Sequence, residues 1–251
     1  MKLEQRALRF ASGRNALIGI VDVPERPLVR GLLVLADSRQ YRTGSHRQFT
    51  LLARLLAGRG VAVMRFDRSG AGDSEGRESE RSDGSDLAAA MKEFFIHVPE
   101  MKESVILAAG DATRAAALYA AGDARVTGLA LFNPELPPSG SSAGTGAAPS
   151  VALRYIQCLA PKLLRRRLPA LRGAAPPALP PELASAFDAY DGHILLVLGG
   201  ADPAFERTAR LLERRRAHCR RVEIAGADVG FSRSDWREAV AAASTSWLTS
   251  W

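Results

Sequence analysis

Residues 107–116 read LAAGDATRAA, an apolar run that turns into an alanine-rich helical pattern through small residues. A sharp strand-to-helix corner of this kind is where many hydrolytic enzymes expose a nucleophilic Ser or Cys. Here the corner is Gly110–Asp111. Gly110 has no side chain with which to attack a carbonyl. Shifted by one residue, the same pattern offers Asp111 as an aspartyl nucleophile. That chemistry needs a histidine to activate water, and the four histidines are poorly placed. His97 ends a helix, His193 opens a strand and His218 lies in a basic helix end. His46 follows the loop after the first apolar strand and is the one that could face a site there. A plainer role for Asp111 is an acid in a helix's first turn, favoured by the dipole.

The elements that must position this corner alternate between apolar runs and helical patterns. RGLLVLA (30–36) predicts a buried strand, followed by the loop DSRQYRTGS and a helix in HRQFTLLARLLAGRG. Ser45 and Gln48 have the spacing of a capping box, and Gly58 and Gly60 can end the helix. VAVMRFD (61–67), SVILAAG (104–110), VTGLALFNP (126–134), HILLVLGGAD (193–202) and RVEIAG (221–226) predict further strands with helices between them. Strands separated by helices argue for a parallel sheet covered on both faces. Residues 135–187 break this rhythm. PPSGSSAGTGAAPS (137–150) is too poor in bulky apolar groups to offset its ordering entropy and is expected to be mobile. A basic helical piece follows, so the segment is expected to form a lid between core pieces 1–134 and 188–251. Ligands of open α/β sheets bind at the carboxyl edge of the strands.

Composition narrows the classes. The chain has 251 residues, 47% hydrophobic and 24% charged, enough for a sizeable soluble core. No stretch approaches the roughly 20 apolar residues that cross a bilayer, and the first 20 residues lack a secretory signal pattern. A cytoplasmic protein is expected. Two distant cysteines, Cys158 and Cys219, make neither a disulfide framework nor a metal motif. No metal and no cofactor are expected. The net charge of +7 is concentrated in 162–172 and 210–221. Those runs could dock on an anionic lipid or polysaccharide surface. They lack interleaved aromatics and any nucleic-acid-binding signature, so no nucleic-acid partner is expected.

RFDRSGAGDSEG (65–76) fits neither a dinucleotide fingerprint nor a phosphate loop. It is similar instead to the turn after the fourth strand of α/β-hydrolases. LLVLGGADP resembles the strand and turn that deliver their acidic residue, here Asp202. VEIAGADVGFS resembles the loop that delivers their histidine. The order of nucleophile, acid and histidine is that of the fold. More closely, QYRTGSHRQFTLLARLLAGRGVAVMRFDRSGAGDSEG, ALFNP and GFSRSDWREAVAAA together resemble the first hydrolase family associated with the bacterial exosortase A system. That resemblance implies an α/β-hydrolase fold with a lid, a hydrolase of ester or thioester class, and a place in exopolysaccharide and protein-sorting machinery. It also implies a cysteine before the elbow's Asp-Ala pair and a histidine after Ala-Asp in the last loop. In this chain those positions hold Gly110 and Val229, and Asp202 alone keeps its type. The reading is a degenerate triad with an acid but no nucleophile and no base, on a protein that could still hold a small-molecule or acyl ligand. Pocket residues expected around the elbow are Ser38, Arg39, Tyr41, His46 and Asp111. The Asp111 amide and an amide near Ser38 are the candidate oxyanion donors. The competing expectation is an active esterase, thioesterase or acyltransferase using Asp111 or another unrecognised nucleophile.

Overall fold

A computed structural model describes residues 3–136, 179–200, 202–215 and 218–251. The stretch 137–150 expected to be mobile, the segment expected to form a lid, the basic run 162–172 and Cys158 lie outside the described residues. The chain divides into a first unit made of 1–136 and 181–251 and a second made of 137–180.

The first unit is built on one eight-stranded sheet: β1 (Leu3–Ser12), β2 (Asn15–Pro24), β3 (Arg30–Leu35), β4 (Val63–Phe66), β5 (Glu103–Ala109), β6 (Val126–Phe132), β7 (His193–Leu198) and β8 (Cys219–Glu223). The spatial order is β1-β2-β4-β3-β5-β6-β7-β8. β1 and β2 pair antiparallel, as do β2 and β4, and all later neighbours are parallel. The expected parallel strands all form. Their near-continuous apolar runs, such as the buried Leu32–Leu35 and Val105–Ala108, are what a strand covered on both faces requires.

The N-terminal hairpin was not foreseen. Its strands carry polar and half-exposed residues, and only the two-residue turn Gly13–Arg14 marks it, with Gly13 at φ +57°. Glycine at the first position of a two-residue loop matches the twist of paired strands.

The helices are α1 (Gln48–Ala57), α2 (Asp83–His97), α3 (Ala112–Ala120), α4 (Pro181–Ala189), α5 (Pro203–Glu213) and α6 (Ser234–Leu248). Alternate strand residues serve the two faces. Leu32, Val34, Val105 and Leu107 join Phe49, Leu52, Leu56, Trp247 and Leu248 in the core beneath α1 and α6. On the other face Gly31 lies so close to Met101 and Phe94 that a β-carbon there would collide with both. α1 starts two residues later than its pattern predicts, and the capping box does not form. Arg47, at φ 59°, precedes the helix without a side-chain cap. The Thr43 carbonyl instead accepts the Phe49 amide at 3.0 Å. The Gln48 side chain turns away to donate to Gln40 Oε1 at 2.9 Å.

Candidate active site

β4 and β5 flank β3, so the chain leaves β3 in opposite directions along the sheet. Such a reversal opens a crevice at the carboxyl ends of the strands beside it. The loop after β3 and the corner after β5 meet there. β5 ends at Ala109, α3 begins at Ala112, and Gly110 takes φ +56° between them. That left-handed conformation costs a side-chain-bearing residue about 1–2 kcal/mol and glycine almost nothing. The strand-to-helix corner is therefore formed with glycine at its tip.

A carboxylate lies where a Gly110 side chain would begin. A β-carbon on Gly110 would stand 2.5 Å from Asp37 Oδ2. Asp37 follows β3 and is 4% exposed. Its Oδ1 accepts the Arg39 amide at 2.9 Å and Arg39 Nε at 3.0 Å, and its Oδ2 accepts Arg39 Nη2 at 3.1 Å. Burial works to raise the Asp37 pKa. Hydrogen bonds from the Arg39 side chain and amide, with a further contribution from the Asp111 amide, outweigh it and hold the carboxyl below its ordinary range. The Arg39 guanidinium is pushed up, chiefly by its hydrogen bond to Asp37. Two amides of the loop after β3 are thus spoken for. The Arg39 amide serves Asp37, while the Ser38 amide donates to Asp111 Oδ1 at 2.9 Å. The Ser38 hydroxyl donates to the other Asp111 oxygen. Asp111 itself is exposed and gives α3 no side-chain cap.

A cavity of about 80 Å³ opens beside this corner. Typical ligand pockets measure roughly 300–1,000 Å³, so this one accommodates a small group or a few waters. Asp37, Arg39, Gln40, Gln48, Asn133 and Glu135 supply its polar wall. Phe49, Phe132, Phe205, Phe231 and Val229 supply the apolar one. The structure brings Gly110, Val229 and Arg39 together on this cavity. Ser38 and Asp111, expected as pocket residues, are not among its lining residues and are bonded to each other. Val229 is 54% exposed, and among the described residues no histidine lines the cavity.

Three expected residues lie elsewhere. Tyr41 is exposed outside the lining. His46 is exposed in a short turn at φ 50° and acts electrostatically on Asp228 rather than on the cavity. The Asp202 carboxylate caps α5, accepting the Ala204 amide at 2.8 Å. It is not among the cavity-lining residues.

Asn133 was missed as a site residue, though it stands in the ALFNP string. It is buried at φ 45°, a conformation asparagine tolerates better than most residues. Its Nδ2 donates to the Val229 carbonyl at 2.9 Å and its Oδ1 accepts the Gly199 amide at 2.8 Å. It thereby clamps the last loop against the ends of β6 and β7. The glycine-rich string after β4 has a supporting role. Asp67, fully buried in its side chain, accepts the Arg42 amide at 2.6 Å and the Asp73 amide at 3.0 Å and pairs with the Arg42 side chain. This fixes the far end of the loop that carries Asp37 and Arg39.

No protein-family profile matches the chain, and no curated protein matches its sequence. Solved structures do. An esterase from Pyrococcus furiosus superposes with a TM-score of 0.71 at 14% identity, covering 99% of this chain and 92% of its own. A dienelactone hydrolase from Anabaena variabilis gives 0.66 at 17% identity, over 99% and 98%. The ferulic-acid-bound esterase Est1E from Butyrivibrio proteoclasticus gives 0.67 at 15%, over 96% and 98%. The chain has the α/β-hydrolase fold. At these identities the likeness is one of architecture, so the chemistry of this α/β-hydrolase-fold protein rests on its own residues.

Proposed function

We propose that this protein is a catalytically defective α/β-hydrolase homologue that binds a small ligand at the elbow cavity. We further propose that it serves as a cytoplasmic accessory protein in the exopolysaccharide and protein-sorting machinery implied by its resemblance to exosortase A-associated hydrolases. The observation that carries the first reading is the Asp37 carboxylate, which stands 2.5 Å from the place of a Gly110 β-carbon. An enzyme that merely lost its nucleophile would keep an open socket at the elbow. Here a buried carboxylate, paired with the exposed Arg39 side chain, occupies the socket and engages the Arg39 amide.

Magnitudes support the same reading. Removing the nucleophile or the histidine of a triad costs roughly a millionfold in rate, about 8 kcal/mol of barrier. What survives in such enzymes, about 10³–10⁴ over water, comes from the oxyanion donors and binding. With the Arg39 amide held by Asp37 and the Ser38 amide by Asp111, that remainder is also reduced. Asp111 as an alternative nucleophile is disfavoured by its two bonds to Ser38 and by the absence of a histidine in the described lining. Docking on an anionic surface draws less support from 210–221, because Arg210 and Arg221 pair with Glu206 and Arg215 pairs with Asp188.

The test is direct. The purified protein is expected to turn over neither p-nitrophenyl esters nor acyl thioesters. Fluorophosphonate and iodoacetamide probes are expected to leave the elbow unlabelled. Saturable labelling of a cavity residue, or turnover lost on Asp111→Asn, overturns the reading.

A further inference from the structure

An oxyanion site recognises negative oxygen through backbone amides that have no other partner. In this elbow the partner is already present and belongs to the chain. Asp37 presents both carboxylate oxygens to Arg39, through one backbone and two side-chain hydrogen bonds of 2.9–3.1 Å. Its Oδ2 fills the volume that the missing Gly110 side chain vacates. The pair neutralises the cationic group that would otherwise draw an anion into the cavity. What remains around the opening is the Glu135 carboxylate, a further negative charge facing an incoming anion, and the amide side chains of Gln40, Gln48 and Asn133 against phenylalanine.

We infer that Asp37 is the elbow's built-in ligand, a specificity-determining carboxylate that makes the cavity refuse carboxylates and acyl oxyanions and take uncharged hydrogen-bonding groups. A second carboxylate approaching Arg39 and the neighbouring Asp111 amide would find the Arg39 donors occupied and a like charge against it. Without the Asp37 side chain the same donors and Arg39 form a carboxylate site. The inference shares with the proposed function only the premise that this cavity receives ligands, and its test is blind to turnover.

Acetate and acetamide are nearly isosteric and differ in charge. Their affinities are read from amide shifts of Gly110, Asp111 and Gly230 in wild-type protein and in Asp37→Ala. Wild type is expected to prefer acetamide. In Asp37→Ala the acetate-to-acetamide affinity ratio is expected to rise at least about tenfold, the scale of one charge-assisted hydrogen bond. An unchanged ratio in a folded variant overturns the inference, as does wild-type binding of acetate at the Asp111 amide as tight as that of acetamide. Should Asp37→Ala lose its native amide spectrum, the wild-type ratio and the Asp37 carboxyl titration decide. A midpoint below the ordinary aspartate value supports the latch, and an ordinary or raised midpoint overturns it.

Discussion

Replacing Gly110 with alanine sets a methyl group against Asp37, and the cost separates into two parts that a second substitution can isolate. The first is backbone strain. Gly110 holds φ +56°, and a β-carbon there costs about 1–2 kcal/mol. The second is eviction of Asp37 Oδ2, which lies 2.5 Å from the new carbon. Moving the carboxylate breaks its bond to the Arg39 amide and leaves polar groups unpaired, about 1–3 kcal/mol. The Arg39 side chain is 64% exposed, so its ion pair is screened and adds little. Gly110→Ala is therefore expected to destabilise by about 2–5 kcal/mol in the wild type, summing both parts. In an Asp37→Ala background only the strain of about 1–2 kcal/mol remains. The double variant should be more stable than the sum of the single losses predicts, by about 1–3 kcal/mol. Urea unfolding of the four proteins at neutral pH, with common slopes, measures this coupling. Additivity within about 0.5 kcal/mol would refute the idea that Asp37 occupies the nucleophile's space.

Other parts of the scaffold give further tests. Arg65 and Asp22 form an ion pair of 3.1 Å with side chains 2% and 0% exposed. Arg65→Met should cost about 3–5 kcal/mol in chemical denaturation by stranding the Asp22 charge, and adding Asp22→Leu should recover much of the loss. Gly72 lies at φ +55° with its β-carbon position inside the Asp67 carboxylate. Gly72→Ala should lower stability by about 2–4 kcal/mol in thermal unfolding and loosen the Arg42 loop. Asp123 is held to a pKa of about 2 by the Arg125 side chain first of all, against burial and with help from Tyr119. Its folded pKa lies below its unfolded one, so its contribution is complete above the ordinary aspartate range and vanishes as pH falls through about 2. The Asp123→Asn protein should show a flatter loss of stability between those limits.

The sheet was legible because its evidence is local and repeated. Apolar runs such as LLVL and VILAA, each bounded by turn residues, have one stable home, a parallel strand covered on both faces. The N-terminal hairpin was not legible, since edge strands with one wet face carry charged residues that weaken the pattern. The start of α1 was misplaced for a similar reason. A Ser-x-x-Gln spacing can form a capping box only if the backbone arrives in the right conformation, and here His46 and Arg47 are left-handed.

At the site the residue types at the corner and in the last loop could be read directly, because Gly110 and Val229 have fixed side chains whatever the fold. Which group lies against Gly110 could not. Asp37 and Gly110 are 73 residues apart in the chain, and only the parallel pairing of β3 with β5 brings the loop after one against the corner after the other. Sequence alone determines which atoms a residue carries and which element it favours. Which carboxylate comes to lie against Gly110 is decided by the register of strands that meet in space, an outcome of long-range packing rather than of local spacing.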